Sequence, residues 1–105
     1  MALAKEQPAY HWFRCIAPSW DNSGRRRKKA FILRDSNPQA YRHCLCTAGE
    51  YTMARYSGDE ALLFLNAWNE WAEGNHLEPD QKWGRGYLEA TKEVLDELQS
   101  AAAVR

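Results

Sequence analysis

The segment Trp68-Asn69-Glu70-Trp71-Ala72-Glu73-Gly74 sets two carboxylates three residues apart among indoles, an amide and a glycine. In an extended chain Glu70 and Glu73 point to opposite faces, because side chains alternate along a strand. In a helical turn, residues at this spacing approach to about 5–6 Å at Cβ. Two carboxyl groups about 5–5.5 Å apart suit retaining glycoside chemistry, in which one serves as acid and base while the other attacks or activates an internal nucleophile. Asn69 has the donor and acceptor needed to bind a sugar hydroxyl or to orient a glutamate. Trp68 and Trp71 offer flat apolar faces to the C–H surface of a sugar ring, and Gly74 lets the backbone turn closely past a bound group. The competing reading is a tryptophan-rich packing corner with two solvated glutamates, since Glu-x-x-Glu is common on helices.

A second polar and aromatic stretch, Ser19 to Arg26, reads SWDNSGRR. Trp20 is a candidate to stack on a sugar, Asp21 and Asn22 to bind hydroxyls, and Arg25 or Arg26 to meet a carboxylate or phosphate. The alternative is an Asx-type turn with solvated arginines. The basic run Arg25 to Lys29 reads as a solvated loop, so no nucleic-acid partner is expected. His43, Cys44 and Cys46 lack a second ligand pair, so no metal site and no cofactor are expected, and Cys44 reads as packing. Glu78 is a candidate to line the same cleft, Asp80 to cap the last helix, and His76 to titrate or to order the loop.

These residues need elements to position them. Tyr10 to Ala17 reads as a strand ending at Pro18, and Ala30 to Leu33 as a short extended piece. Ser36 or Asn37 followed by Pro38 signals a helix start. Tyr41, Cys44, Leu45, Ala48, Tyr51 and Thr52 then recur at helical spacing, up to a stop before Gly58. Ala61 to Ala67 is a continuous apolar run, the pattern of a strand buried on both faces in a parallel sheet. A last helix is predicted from Gln81 or Lys82, with Tyr87, Leu88, Thr91, Val94, Leu95 and Leu98 on one face. Residues 1–9 and 100–105 are expected to fray. The order strand, helix, strand, helix predicts an α/β fold with a right-handed crossover and parallel strands. Both candidate loops then leave the C-terminal ends of their strands, where barrels and open parallel sheets build active sites. The chain has 105 residues, enough for one modest domain but short of the about 250 of a closed eight-stranded barrel.

The formal net charge is zero, so nothing global points to nucleic acid or an acidic membrane surface. No apolar run approaches the roughly 20 residues of a membrane span. The three cysteines cannot all pair within one chain, and with no secretory signal they predict a reducing cytoplasm. Five tryptophans and five tyrosines exceed what a core of this size requires.

The string FLNAWNEWAEGNHLEPDQKWGRGYLEATKEVL (Phe64 to Leu95), preceded by APSWDNSGRR and NPQAYRHCL, resembles the C-terminal end of WbsX-like proteins. These are glycoside hydrolase family 99-like domains, often encoded with bacterial surface-polysaccharide genes. The resemblance runs from Cys15 to Leu98. It implies a (β/α)8 TIM-type barrel of which this chain supplies the last two strand-helix units, a partial barrel. Family 99 enzymes are retaining endo-acting α-mannosidases and mannanases. By that resemblance Glu70 is the base that helps the substrate's own 2-hydroxyl attack, through an epoxide-like sugar intermediate. Glu73 is then the acid/base serving the leaving group and afterwards water. Asn69 and Trp71 carry over as motif neighbours, and the expected partner is a mannose-type or related oligo- or polysaccharide. WbsX-like members are also described as glycosyltransferases, so transfer during lipopolysaccharide or other polysaccharide biosynthesis stands beside hydrolysis. A non-catalytic remnant or small carbohydrate-binding module is the third reading. Without six further strands the chain alone is expected to be inactive and prone to aggregate. Its oligomeric state is left open.

Overall fold

A computed structural model of the chain describes residues 9–21, 23, 28, 33 and 35–104. Its first helix, α1 (Pro38–Arg55), starts where local chemistry requires. Asn37 is extended and its side-chain oxygen accepts the Ala40 N–H at 2.8 Å, while Pro38 opens the first turn. That satisfies one of the amides a helix start leaves unpaired, and proline has no N–H to orphan. The helix ends at Tyr56, which turns extended. Its buried face carries Tyr41, Leu45, Ala48, Gly49, Tyr51 and Thr52, and Cys44 packs half-buried beside them.

This helix is the crossover between two parallel strands, β1 (Arg14–Ile16) and β2 (Leu63–Leu65), in register Arg14↔Leu63, Cys15↔Phe64 and Ile16↔Leu65. The mixed α/β architecture and parallel pairing match the sequence expectation. The strands are shorter than Tyr10 to Ala17 and Ala61 to Ala67. At the start of the first, the Trp12 N–H leaves the ladder for the Tyr56 hydroxyl at 2.8 Å. Of the Ala30 to Leu33 segment only Leu33 is described, and its N–H donates to the Trp20 carbonyl at 2.9 Å.

The second helix, α2 (Gly86–Val104), begins later than predicted. Asp80 and Gly84 exchange backbone hydrogen bonds at 2.9 and 3.1 Å, and the Asp80 carboxylate accepts the Trp83 N–H. The segment from Gln81 is therefore closed into its own turn, and Asp80 caps that turn rather than the helix. Helical geometry continues to Val104, through the stretch where fraying was expected.

The core is Ile16, Tyr41, Leu45, Ala48, Leu77, Tyr87, Ala90 and Val94. The two helices pack against each other through Tyr41, whose hydroxyl lies 2.6 Å from Thr91 Oγ1 and whose ring meets Tyr87 edge-on at 5.6 Å. At the surface, Arg42 reaches across to Glu93 and Glu97. Arg14 faces the helices from β1, buried to 5% exposure, its guanidinium between the Trp12 and Tyr51 rings at 3.8 and 4.2 Å. Stacking between two rings suits a planar, weakly hydrated cation. Leu95, placed by periodicity on the buried face, is 45% exposed.

One expectation fails outright. The apolar run around Phe64 predicts a strand buried on both faces, yet Phe64 is 53% exposed and its register partner Cys15 is exposed. The helices cover only the Ile16 side, and among the described residues the sheet has two strands and two open edges. None of the described helices is long and apolar enough to cross a membrane.

An exposed apolar sheet face with free edges favours association between copies. Phe64→Lys is accordingly expected to raise the monomeric fraction of the chain in sedimentation velocity at unchanged helix content. Identical sedimentation of the two proteins would contradict this.

Candidate functional site

The chain leaves β1 through Ser19–Asp21 and leaves β2 through a longer loop that runs to Asp80, both from the C-terminal ends of the strands. The two loops touch. The Asp21 N–H donates to the Glu73 carbonyl at 2.7 Å, and the Ser19 hydroxyl donates to the Gly74 carbonyl at 2.5 Å. Gly74 has φ +58° and ψ 33°, and a Cβ built there would lie 3.0 Å from the Asp21 backbone nitrogen and oxygen and from its Cβ. Left-handed geometry and backbone contact together restrict this position to glycine.

The longer loop is a small hairpin. β3 (Asn69–Glu70) pairs antiparallel with β4 (Asn75–His76), and one 3₁₀ turn, Trp71–Glu73, joins them. The Asn66–Ala67 peptide that precedes it is cis. Asn75 is fully buried and its side-chain oxygen accepts the Ala67 N–H at 3.1 Å. The Trp68 carbonyl accepts the amides of Leu77 and Glu78 at 2.9 and 3.2 Å. Leu77 then enters the core at 6% exposure. The hairpin is thus tied to the scaffold at its base while its tip meets the other loop.

The chain between the two glutamates curls rather than extending. Glu70 is exposed on β3. Glu73 ends the 3₁₀ turn, half-buried, with one carboxylate oxygen buried. Asn69 is exposed and pairs with His76 across the hairpin. Trp68 and Trp71 are 53% and 49% exposed. Trp71 donates its indole N–H to Glu78 at 2.8 Å and stacks on His76, centroids 3.8 Å apart and planes 15° from parallel. His76 in turn bonds Asp80 through Nε2 at 2.9 Å.

Ser19, Trp20, Asp21, Gly74 and Lys82 share the wall of an open cleft of about 440 Å³, within the range of roughly 300–1,000 Å³ typical of small-molecule sites. The Asp21 carboxylate accepts the Ser23 N–H at 2.9 Å, the Asx turn of the alternative reading. Hydrogen bonds from Ser23 hold this carboxyl below its usual range, so it is charged. Asn22, Arg25 and Arg26 lie outside the described residues. Sequence reasoning passed over Ser19 and Lys82 at the cleft and Asn75 beneath the hairpin. Ser19 stands beside Trp20 and was within reach of the motif, whereas nothing local marks Asn75 as buried.

Two expectations follow. Gly74→Ala should accelerate hydrogen exchange at the Asp21 amide and destabilise the fold by more than the about 1–2 kcal/mol of a left-handed alanine. Gly58, at φ +57° with no atom within 4 Å of an added Cβ, is the control, and Gly58→Ala should leave Asp21 exchange unchanged. Burial raises the Asp80 carboxyl pKa, but hydrogen bonds from His76 and the Trp83 N–H more than offset it and hold the group below its ordinary value. A depressed carboxyl stabilises the fold above its unfolded value, about pH 4 for aspartate, and that contribution is lost as pH falls through the folded value. The stability gap between the native chain and Asp80→Asn, from urea melts, should therefore narrow on acidification below about pH 4.

The family model described as "Glycosyltransferase WbsX" matches residues 1–91. The chain is also 38% identical over 87 residues to the "Uncharacterized protein WxcX" of Xanthomonas campestris pv. campestris, in each of two strains. That alignment covers 83% of this chain and 12% of WxcX, so the chain spans a small part of the length of the curated relatives it matches. No solved structure matches. With the family model covering 91 of 105 residues, through both loops and the hairpin between them, the chain belongs to the WbsX family.

Proposed function

We propose that this chain is the active-site-bearing C-terminal part of a glycoside hydrolase family 99-like protein acting on a mannose-type or related polysaccharide by retaining chemistry. In this reading its two strand-helix units close one side of a (β/α)8 barrel. The observation that carries it is the hydrogen bond from the Asp21 amide to the Glu73 carbonyl. It joins the loops that follow two parallel strands, and in this reading Trp20, Glu70 and Glu73 share the resulting surface. Active sites of α/β barrels occupy that end.

Glu70 stands exposed to solvent and substrate. It takes the proton of the sugar's 2-hydroxyl as that oxygen attacks the anomeric carbon and the bond to the leaving oxygen breaks. Glu73 has one oxygen buried; it gives its proton to the leaving oxygen and then removes one from the water that opens the intermediate, while Glu70 returns its proton to the sugar's 2-oxygen. Both steps are general acid–base catalysis. Asn69, Trp68, Trp71, Trp20, Asp21 and Glu78 bind or orient sugar in the same reading, with Asn22 and Arg25 joining them from the loop after β1.

The printed description of the family favours a second reading, transfer of a sugar from an activated donor in polysaccharide biosynthesis. Release of the aglycone from synthetic α-mannosides, against consumption of a nucleotide sugar, separates the two in a full-length family member carrying these glutamates. In the hydrolase, Glu73→Gln should slow substrates with poor leaving groups far more than activated aryl glycosides, because only the former need protonation. Glu70→Gln should slow both alike, since the attacking hydroxyl loses its base. Near-normal activity of both variants would leave the pair as a packing corner.

A further inference from the structure

Beneath the hairpin lies a set of contacts that the glutamate chemistry does not use. Trp71 lies flat on His76 at 3.8 Å and donates its indole N–H to Glu78. His76 bonds Asp80 through Nε2, and the two side chains are 12% and 13% exposed. The other ring nitrogen of His76, Nδ1, is buried with no hydrogen-bond partner among the described residues, and the Tyr87 ring stands edge-on at 6.1 Å. An ionised aspartate only accepts hydrogen bonds, so Nε2 donates to it, and Nδ1 is sealed from solvent. With Nε2 bonded to Asp80 and Nδ1 buried, neither ring nitrogen is open to a substrate. What it offers is a flat support. One indole face rests on it and the edge is tied to Glu78, while Trp71 as a whole keeps 49% exposure. Trp71 also lines a depression together with Pro79, Asp80 and Gln81. This depression is separate from the cleft under Trp20, and the 3₁₀ turn and its Gly74 cap contribute to both: Gly74 to the cleft and Trp71 to the depression.

We infer that His76 and Asp80 are positioning residues, which hold the Trp71 indole as the platform of a second sugar subsite that takes the apolar C–H face of a pyranose ring. This rests on the carbohydrate reading above. Its physical content is preorganisation. Freezing a mobile side chain on binding weakens affinity by roughly three- to tenfold, and a tryptophan already clamped on one face and one edge escapes that penalty.

The test uses the 105-residue chain and an α-linked mannotetraose, following the five indole N–H resonances by heteronuclear NMR, with the Trp71 signal assigned from Trp71→Phe. The oligosaccharide is expected to shift the Trp71 resonance. His76→Ala should displace that resonance in the free protein and weaken binding by roughly three- to tenfold, and His76→Phe, which restores a flat ring, should recover most of both. Asp80→Asn is near-isosteric and guards against a variant that fails to fold. Its neutral amide replaces a charge-assisted hydrogen bond to the imidazole with a weaker one, so it too should displace the Trp71 resonance and weaken binding. If Trp71→Phe weakens binding while His76→Ala and Asp80→Asn leave resonance and affinity unchanged, the positioning role is overturned and the sugar reading stands. Binding unaffected by Trp71→Phe overturns the platform, and no oligosaccharide-induced shift at all overturns both.

Discussion

The site depends on one close approach, the passage of Gly74 against the backbone of Asp21. Any side chain at position 74 would meet Asp21 nitrogen, oxygen and Cβ at 3.0 Å, contacts that real Cβ atoms make only if a neighbour gives way. Because there is none, the Asp21 amide reaches the Glu73 carbonyl and the Ser19 hydroxyl reaches the Gly74 carbonyl. Two loops separated by more than fifty residues in sequence become one surface. The backbone makes this junction, which leaves the glutamates, tryptophans and Asp21 on it free to differ in exposure and chemistry.

That junction has to be held from below, and the scaffold does so by unlike means on its two sides. The Ser19–Asp21 side hangs from β1, whose place is set by parallel pairing with β2 and by α1 packing over Ile16. The hairpin side is pinned by Leu77 in the core, by Asn75 fully buried under the loop, and by the Trp68 carbonyl that collects two amides. A buried asparagine bonded to a loop amide contributes little net stability, but leaving that amide unpaired would cost about 1–3 kcal/mol. The sheet itself is covered on one face. Cys15 and Phe64 on its other face are exposed.

On this scaffold the two glutamates of the motif sit in unlike surroundings, one exposed and one with an oxygen buried, at the two ends of a single tight turn. The nearby aromatic residues divide in the same way. Trp68 is exposed, whereas Trp71 is clamped between His76 and Glu78. A polar, aromatic surface with a few fixed donors and acceptors suits sugars, which present hydroxyl edges and an apolar ring face at once.

Sequence alone determined whatever rests on local chemistry. Asn37 and Pro38 announced the start of α1, because capping needs only a side-chain oxygen, a free amide three residues on and a ring with no N–H. The alternation of strand and helix announced parallel pairing and the common end of the two loops, and the Asn-Glu-Trp-Ala-Glu-Gly string announced a chain that curls between its two glutamates. Tertiary structure decided the rest. The start of α2 moved because Asp80 and Gly84 closed a turn through backbone bonds that periodicity does not register. Phe64 is exposed because no element among the described residues covers that side of β2, and a strand's apolar run records what it can bury, not what is present to bury it. His76 came to rest under Trp71 because the β3–β4 pairing set Asn69 opposite His76 and folded the 3₁₀ turn back over it. Those contacts join residues that no sequence spacing marks as neighbours, so only the folded chain could supply them.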